Sequence, residues 1–398
     1  MRILGGVGVA AAMLCTIAGI EHLQESKAAG ARVEGGGTFR VLAPIESGEL
    51  LLFPVVRDDS RTIGETPFLT LDEGFKSGEV KVTEAGRAAG LMRSRGDGES
   101  SRFGGDQVNT LVLVNHSKRP LLRLAGEIVT GGKQDRIIAK DRIVPADADP
   151  IDLSVFCIEP GRWTGTTASF GASANAPAKS IMVQPQVREQ AMVAKDQQQV
   201  WNSVHGAISS MAIAAAPPMA TETVTVNAEA LGTTSYAKAM QNGAVSAKVD
   251  EVAERAIAGR EQVMAKLREE HAVGVAVAVH GEIIWADLFA NTDLLARYWI
   301  KLVRSYAAES LADSDNHAAP SVADAQRFLD APTGGTETSE GDVGVYQYRE
   351  LNSGKTETFV LESLLPGTGY DVHISKLKLR GGEQRGSKPL GDVRPIYR

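Results

Sequence analysis

From Leu121 to Trp163 the chain reads LLRLAGEIVTGGKQDRIIAKDRIVPADADPIDLSVFCIEPGRW. This stretch holds three strand-like runs, a Gly-Gly turn, a cysteine and a dense set of polar residues. Taken as a two-residue hairpin loop, Gly131-Gly132 sets a register, because loop length fixes which residues face one another. Thr130 then faces Lys133, Val129 faces Gln134, Ile128 faces Asp135 and Glu127 faces Arg136. Glu127, Val129, Gln134 and Arg136 share one face. Leu124, Gly126, Ile128, Asp135, Ile137 and Ala139 share the other. In the third run Ile151, Leu153, Val155 and Cys157 alternate with Asp152, Ser154, Phe156 and Ile158, which puts Cys157 on the aliphatic side.

The polar residues of this unit admit two readings. Glu127 and Arg136 form either a cross-strand ion pair or the floor of a polar pocket. Glu159, Arg162 and Trp163 either present a carboxylate, a guanidinium and an indole to a ligand, or fix a chain reversal with Arg162 stacked on Trp163. Cys157 is a small core residue unless folding brings a base to it, since the thiolate is the nucleophile. His116, His205, His271 and His373 are all distant in sequence.

Along the rest of the chain, residues 39–43 and 49–56 read as strands. Leu50 and Leu52 alternate with Leu51, Phe53 and Val55, so the second strand is covered on both faces. Thr70 caps a short helix over 71–76 that ends at Ser77-Gly78. Strands follow at 80–83 and 108–115, on either side of a polar Gly-rich loop at 92–107. Residues 164–180 read as a mobile loop. Helices are predicted over 186–208 and 247–270, and a short strand over 223–226. VGVAVAV at 273–279 and EIIWADLF at 282–289 flank His280-Gly281 as a hairpin. Helices follow at 292–311 and 322–329, with a loop at 333–342. Strands are predicted at 343–351, 356–361 and 371–379. Strands at both ends and helices in the middle make this an α+β chain rather than an alternating α/β one. We expect a main domain over 39–311, a small β-containing extension over 322–380 and a loose tail over 381–398.

Composition narrows the function. Among 398 residues, 43% are hydrophobic, 23% are charged and the net charge is −7. That is a globular balance with no basic stripe, which argues against nucleic acid as a partner. The start of the chain has the form of an export signal: Arg2, an apolar run over 3–20, then Ala29-Gly30-Ala31 as a cleavage site. We expect residues 1–31 to be removed and the protein to be periplasmic or secreted. The alternative is an anchor by an uncleaved N-terminal segment. After removal Cys157 stands as the sole cysteine, which excludes a disulfide framework and a multi-cysteine zinc site. No HExxH, phosphate loop, GxSxG or GxGxxG pattern is present, and the histidines lack ligand spacing, so no metal or cofactor is expected.

Gly126-Glu127, Gly131-Gly132-Lys133-Gln134-Asp135-Arg136 and Cys157-Ile158-Glu159-Pro160-Gly161-Arg162-Trp163 together resemble one uncharacterised bacterial family. It is the ADP-ribosylglycohydrolase and rhodanese-phosphatase-associated protein domain. The likeness runs from about 39 to 311 and includes Leu71-Asp72-Glu73 before Gly78, Asp287-Leu288-Phe289 and Tyr298-Trp299. Asparagine is common in the family at the position of Asp135, so a role that needs that amide is weakened here. The family name records genomic association. The resemblance implies a link to ADP-ribose or nucleotide-derived chemistry in some members, a link that an export signal sets aside for this chain.

Three functions remain. The first is an exported protein that binds a small molecule or an envelope protein through Glu127, Gln134, Arg136, Glu159, Arg162 and Trp163. The second is a hydrolase with Glu127 or Glu159 as acid/base, or Cys157 as nucleophile. The third is a structural envelope protein whose polar motif holds the fold. Convergence of the polar residues on an open pocket favours the first two; their closure in internal pairs favours the third.

Overall fold

Consecutive apolar residues over Leu50–Arg57 demand cover on both sides, and that strand lies inside a nine-stranded sheet. The computed structural model describes residues 39–57, 63–84, 111–159, 169–171, 181–216, 231–312 and 317–379. The sheet order is Phe39–Val41, Leu50–Arg57, Ala272–Val279, Glu282–Phe289, Tyr370–Lys378, Thr356–Ser363, Tyr346–Asn352 and Thr336–Asp342, with Ile45–Ser47 also paired to Leu50–Arg57. The pairings are antiparallel. At the tip of the central hairpin Val279 faces Glu282, and His280 and Gly281 have φ of 52° and 79°. Positive φ at both central residues is the turn that matches strand twist.

The two faces of the sheet follow from alternation. Leu50, Leu52, Val275, Val277, Trp285 and Phe289 pack in the large core with the helices. Leu51, Phe53, Val55, Ala276, Ala286 and Leu288 pack on the opposite side, where Ala325, Phe328 and Leu329 of the helix Val322–Asp330 cover them. The helical layer is built from Gln197–Ala215, Gly243–Ile257 and Thr292–Glu309, and Trp299 Nε1 donates to the Ala256 carbonyl at 2.9 Å. No helix among the described residues is long and apolar enough to cross a membrane.

The α+β architecture stands, and several elements differ from expectation. The segment read as a C-terminal extension over 322–380 is hydrogen-bonded into the main sheet, with Trp285 opposite Leu377 and Phe289 opposite His373. The loop expected at 333–342 contains the strand Thr336–Asp342, whose polar sequence TETSEGD has no apolar alternation to betray it. The helix expected over 247–270 is two, Gly243–Ile257 and Arg260–Glu269, parted at Gly259. Glycine weakens a helix interior, and the break lets Val249 and Ala253 of one helix and Met264 and Leu267 of the other reach the core. The helix expected over 186–208 is divided by a wide turn over Gln190–Ala194 and a left-handed Lys195, φ 53°. Gln197–Ala215 then restarts under an Asp196 cap.

A second region, made of short strands, carries the 121–163 unit. It packs around Leu71, Val82, Leu113, Leu121, Val129, Ile138, Leu153 and Phe170. Thr70 caps Leu71–Ser77 in a capping box with Glu73, and Gly78 ends the helix at φ 73°. Within the stretch read as a mobile loop, Ser169–Phe170 is a strand on Val82 and Thr83. Apart from Gly171, the rest of that stretch lies outside the described residues. So do the export signal at 1–31, the loop at 92–107, the strand at 223–226 and the tail at 381–398.

Candidate functional site

The hairpin of the 121–163 unit exists with a different register. Ile128 faces Ile137 and Val129 faces Arg136, so the loop spans 130–135 and Glu127 does not face Arg136. The glycines serve close packing rather than a two-residue turn. A Cβ on Gly132 would sit 2.2 Å from the Phe170 ring, and Gly131 bridges to Phe170. Asp135 Oδ1 accepts from the Gly131 amide at 3.1 Å and holds the wide loop. A slip of two residues keeps each strand residue on its expected face. Gln134 falls in the loop, with its Oε1 accepting from Arg136 Nη1 at 3.3 Å.

The candidate residues among those described are enclosed. Glu127, Gln134, Arg136, Cys157 and Glu159 are each at most 3% exposed. Glu127 accepts from Lys301 Nζ at 2.5 Å and from the Leu124 amide at 2.6 Å, and Lys301 also reaches Asp72 at 2.8 Å. Burial raises the Glu127 pKa and the Asp72 charge adds to this, against the pull of Lys301. Lys301, which burial alone would lower, is raised by Glu127 and then Asp72. Glu159 Oε2 accepts from the Asp135 amide at 3.3 Å, and Asp135 Oδ2 accepts from Ser235 Oγ at 2.7 Å. Cys157 faces Arg136 across the strands, but burial pushes its thiol up and Glu84 adds to this, so thiolate is disfavoured despite the guanidinium. The backbone of Cys157 is clamped by the Gln197 amide at 2.9 and 2.8 Å. Arg162 and Trp163 lie outside the described residues.

The densest ionic cluster was not foreseen. Asp287, on the helix-facing side of the central strand Glu282–Phe289, receives Arg188 Nη1 at 2.8 Å, Arg188 Nη2 at 3.1 Å and Ser375 Oγ at 2.6 Å, together with the Tyr306 hydroxyl. His373 Nε2 lies 3.2 Å from Asp287, and its Nδ1 lies 2.6 Å from Asp141. Asp141 in turn accepts from the Ala125 amide at 2.7 Å. All of these side chains are buried. The cluster therefore joins the sheet, the helical layer and the 121–163 unit. Arg188 also lies over the Trp285 ring at 4.4 Å and against Gly126, where a Cβ would be 2.6 Å from Arg188 Cγ. Burial alone would raise Asp287; Arg188 is the largest opposing influence and holds it well below the usual carboxylate range. Burial alone would lower His373; Asp141 and then Asp287 outweigh it and raise it to about 9.

The histidine makes stability pH-dependent. Its folded pKa, about 9, exceeds the ordinary 6.5. The stabilisation is complete below the ordinary value and is lost as pH rises through the folded one. We expect the advantage of the wild type over His373→Gln in urea unfolding to shrink by about 3 kcal/mol between pH 6 and pH 10. A constant difference across that range contradicts the charged-histidine assignment.

The described surface has an open groove elsewhere. It encloses about 810 Å³ and is lined by residues 63–67, Arg119, residues 366–368 and Tyr370. Its walls are pinned from behind. Asn291 Nδ2 donates to the Gly64 carbonyl at 2.5 Å, Arg297 Nη2 to Thr66 Oγ1 at 3.3 Å, and Arg119 Nε to the Pro67 carbonyl at 3.1 Å. On the other side Thr368 Oγ1 donates to the Leu365 carbonyl at 2.7 Å. Among the described residues no cluster of His, Cys, Asp and Glu is arranged to hold a metal ion.

Asp287 follows the apolar run IIWA in the strand EIIWADLF, where both faces are buried, and a carboxylate there is a signal for a buried partner. Arg188, Tyr306 and His373 carry no such mark, because their neighbours come from distant elements. One family model, that of the ARG and Rhodanese-Phosphatase-superfamily-associated Protein domain, matches residues 38–377, beyond the 39–311 span of the motif likeness. No curated protein and no solved structure matches the chain.

Proposed function

We propose that this chain, which belongs to the ARG and Rhodanese-Phosphatase-superfamily-associated Protein domain family, is a binding protein that recognises its ligand in the groove formed by residues 63–67, Arg119, residues 366–368 and Tyr370. The observation that carries this reading is a contrast. The groove is open, with walls held by hydrogen bonds from Asn291, Arg297 and Arg119, whereas Glu127, Cys157 and Glu159 are buried. A pre-formed concave surface loses little freedom on binding. Its lining of glycine backbone, threonine hydroxyls, Glu65, Arg119 and the Tyr370 ring suits a small polar molecule with one flat or apolar part. On this reading the polar motif of the 121–163 unit holds the fold. Export to the periplasm, or secretion, remains part of the proposal and rests on the N-terminal pattern alone; the N-terminal sequence of the mature protein tests it.

One feature favours the hydrolase reading. Glu127 is held toward its protonated form, the property a general acid needs. Its burial keeps a substrate away, and its carboxylate is engaged by Lys301. Thermal unfolding of the full chain against a library of small polar metabolites separates the readings. Compounds that raise the midpoint in the wild type should lose that effect in Pro366→Trp, which fills the groove from an exposed turn position. Compounds that stabilise both proteins equally bind elsewhere and overturn the groove. Ester or glycoside hydrolysis abolished by Glu127→Gln in a folded variant would instead establish the hydrolase.

A further inference from the structure

Arg123 ends the strand Leu121–Arg123 and is fully buried. In the antiparallel pairing with Arg142–Val144 it stands directly opposite Arg142, so the two guanidinium groups leave the same face of the ladder. Arg123 Nη1 reaches the Lys140 carbonyl only at 3.4 Å, and its Nε and Nη2 have no hydrogen-bond partner. No other side chain among the described residues has two buried polar atoms in that state. Arg142 Nε is also buried without a partner. Like charges placed opposite each other repel, and a buried donor left unpaired calls for an explanation such as a bound ion or water. Burial, and next the Arg142 charge, lower Arg123 to about 10. The carboxylate of Asp141 is committed to His373 and the Ala125 amide.

The outer side of this basic cluster meets the edge strand Thr336–Asp342. Glu340 pairs with Lys140, and Asp342 Oδ2 accepts from Arg142 Nη2 at 2.8 Å. These acidic side chains are 37% and 46% exposed. They lie two residues apart, hence on one face of the strand, and their strand has a neighbour on one side only. The Arg142 guanidinium lies over the Tyr346 ring at 5.7 Å.

We propose that Arg123, Arg142 and Lys140 form a binding site for a small doubly charged oxyanion, and that Glu340 and Asp342 stand in for that ligand in the free protein. A guanidinium presents a planar fork of N–H groups that matches the paired oxygens of a phosphoryl or carboxylate group. Exposed ion pairs contribute little, because water solvates both partners once they separate. The incoming anion therefore displaces two half-exposed pairs and satisfies donors that the fold leaves unpaired. Lys140 and Arg142, which are partly exposed, make first contact. Arg123 completes the site. The site is separate from the groove and does not depend on it.

The test uses the full chain with inorganic phosphate and with succinate, each against sodium chloride of equal ionic strength. Calorimetric titration and the thermal midpoint are the readouts. The wild type should bind at least one of the two anions and unfold at higher temperature in its presence. Phosphate alone identifies a phosphoryl ligand; succinate alone identifies a dicarboxylate. Arg123→Met removes the unpaired donors and should keep its fold while losing the response. The double variant Glu340→Gln, Asp342→Asn removes the internal competitors and should bind about tenfold more tightly. Binding that is unchanged in Arg123→Met is an adventitious ion only and overturns the site. So does failure of both anions to bind the double variant. Weaker binding by the double variant overturns the stand-in role of the two carboxylates.

Discussion

Replacing Asp287 with alanine is expected to destabilise the protein by about 3–5 kcal/mol, measured by urea unfolding through tryptophan fluorescence. The size follows from what the substitution leaves behind. Arg188 and His373 remain buried with their common counter-charge gone, while Ser375 and Tyr306 lose their acceptor. An uncompensated buried charge is worse than no charge at all, so the double variant Arg188→Met, Asp287→Leu should recover part of the loss. If the alanine variant does not fold, Asp287→Asn keeps the shape of the side chain and makes the same comparison possible. A loss below about 1 kcal/mol would place this cluster among ordinary polar contacts.

Lys301→Met should cost a similar amount, about 3–5 kcal/mol at pH 7, because it strands the Glu127 carboxylate in the interior. This deficit has a pH signature of its own. Glu127 is already held toward protonation by burial and by Asp72. Without the Lys301 charge its pKa will rise further, and a neutral carboxyl is cheaper to bury. The difference between variant and wild type should therefore shrink as pH falls from 7 toward 5. A deficit that is flat over that range would show that Lys301 acts through the contact of its Nζ with the Tyr298 ring, 5.5 Å from the centroid.

Both substitutions lie away from the groove, which bears on how the family signature is understood. Gly126 makes room for Arg188, Glu127 fixes Lys301, Gly132 makes room for Phe170, and Gly131 bridges to Phe170 through its backbone. Each is explained by packing or by a buried pair. The groove, in contrast, is lined by Gly64, Thr66, Gly367 and Thr368, residues that read in sequence as ordinary loop.

Local chemistry was legible wherever a short stretch contains its own cause. Thr70 with Glu73 and Gly78 specified both ends of a helix. His280-Gly281 specified the central hairpin. Double-sided apolarity at 50–56 announced a sheet covered on both faces. The loop register at 130–135 was not legible, because Phe170 decides it from outside the hairpin. The edge strand Thr336–Asp342 was not legible either, since a polar edge is defined by ladder hydrogen bonds and not by burial.

The amino-acid sequence by itself determined the α+β class, the principal hairpin, the capped helix and the family signature of the 121–163 unit. Those depend on periodicity and turn chemistry, which act over a few residues. The tertiary structure alone decided what the charges do. Asp287 meets Arg188 across 99 positions, Lys301 meets Glu127 across 174, and His373 meets Asp141 across 232. A charge is buried or exposed, paired or orphaned, only once chain closure has brought those positions together, and that closure buried Glu127, Gln134, Arg136 and Glu159.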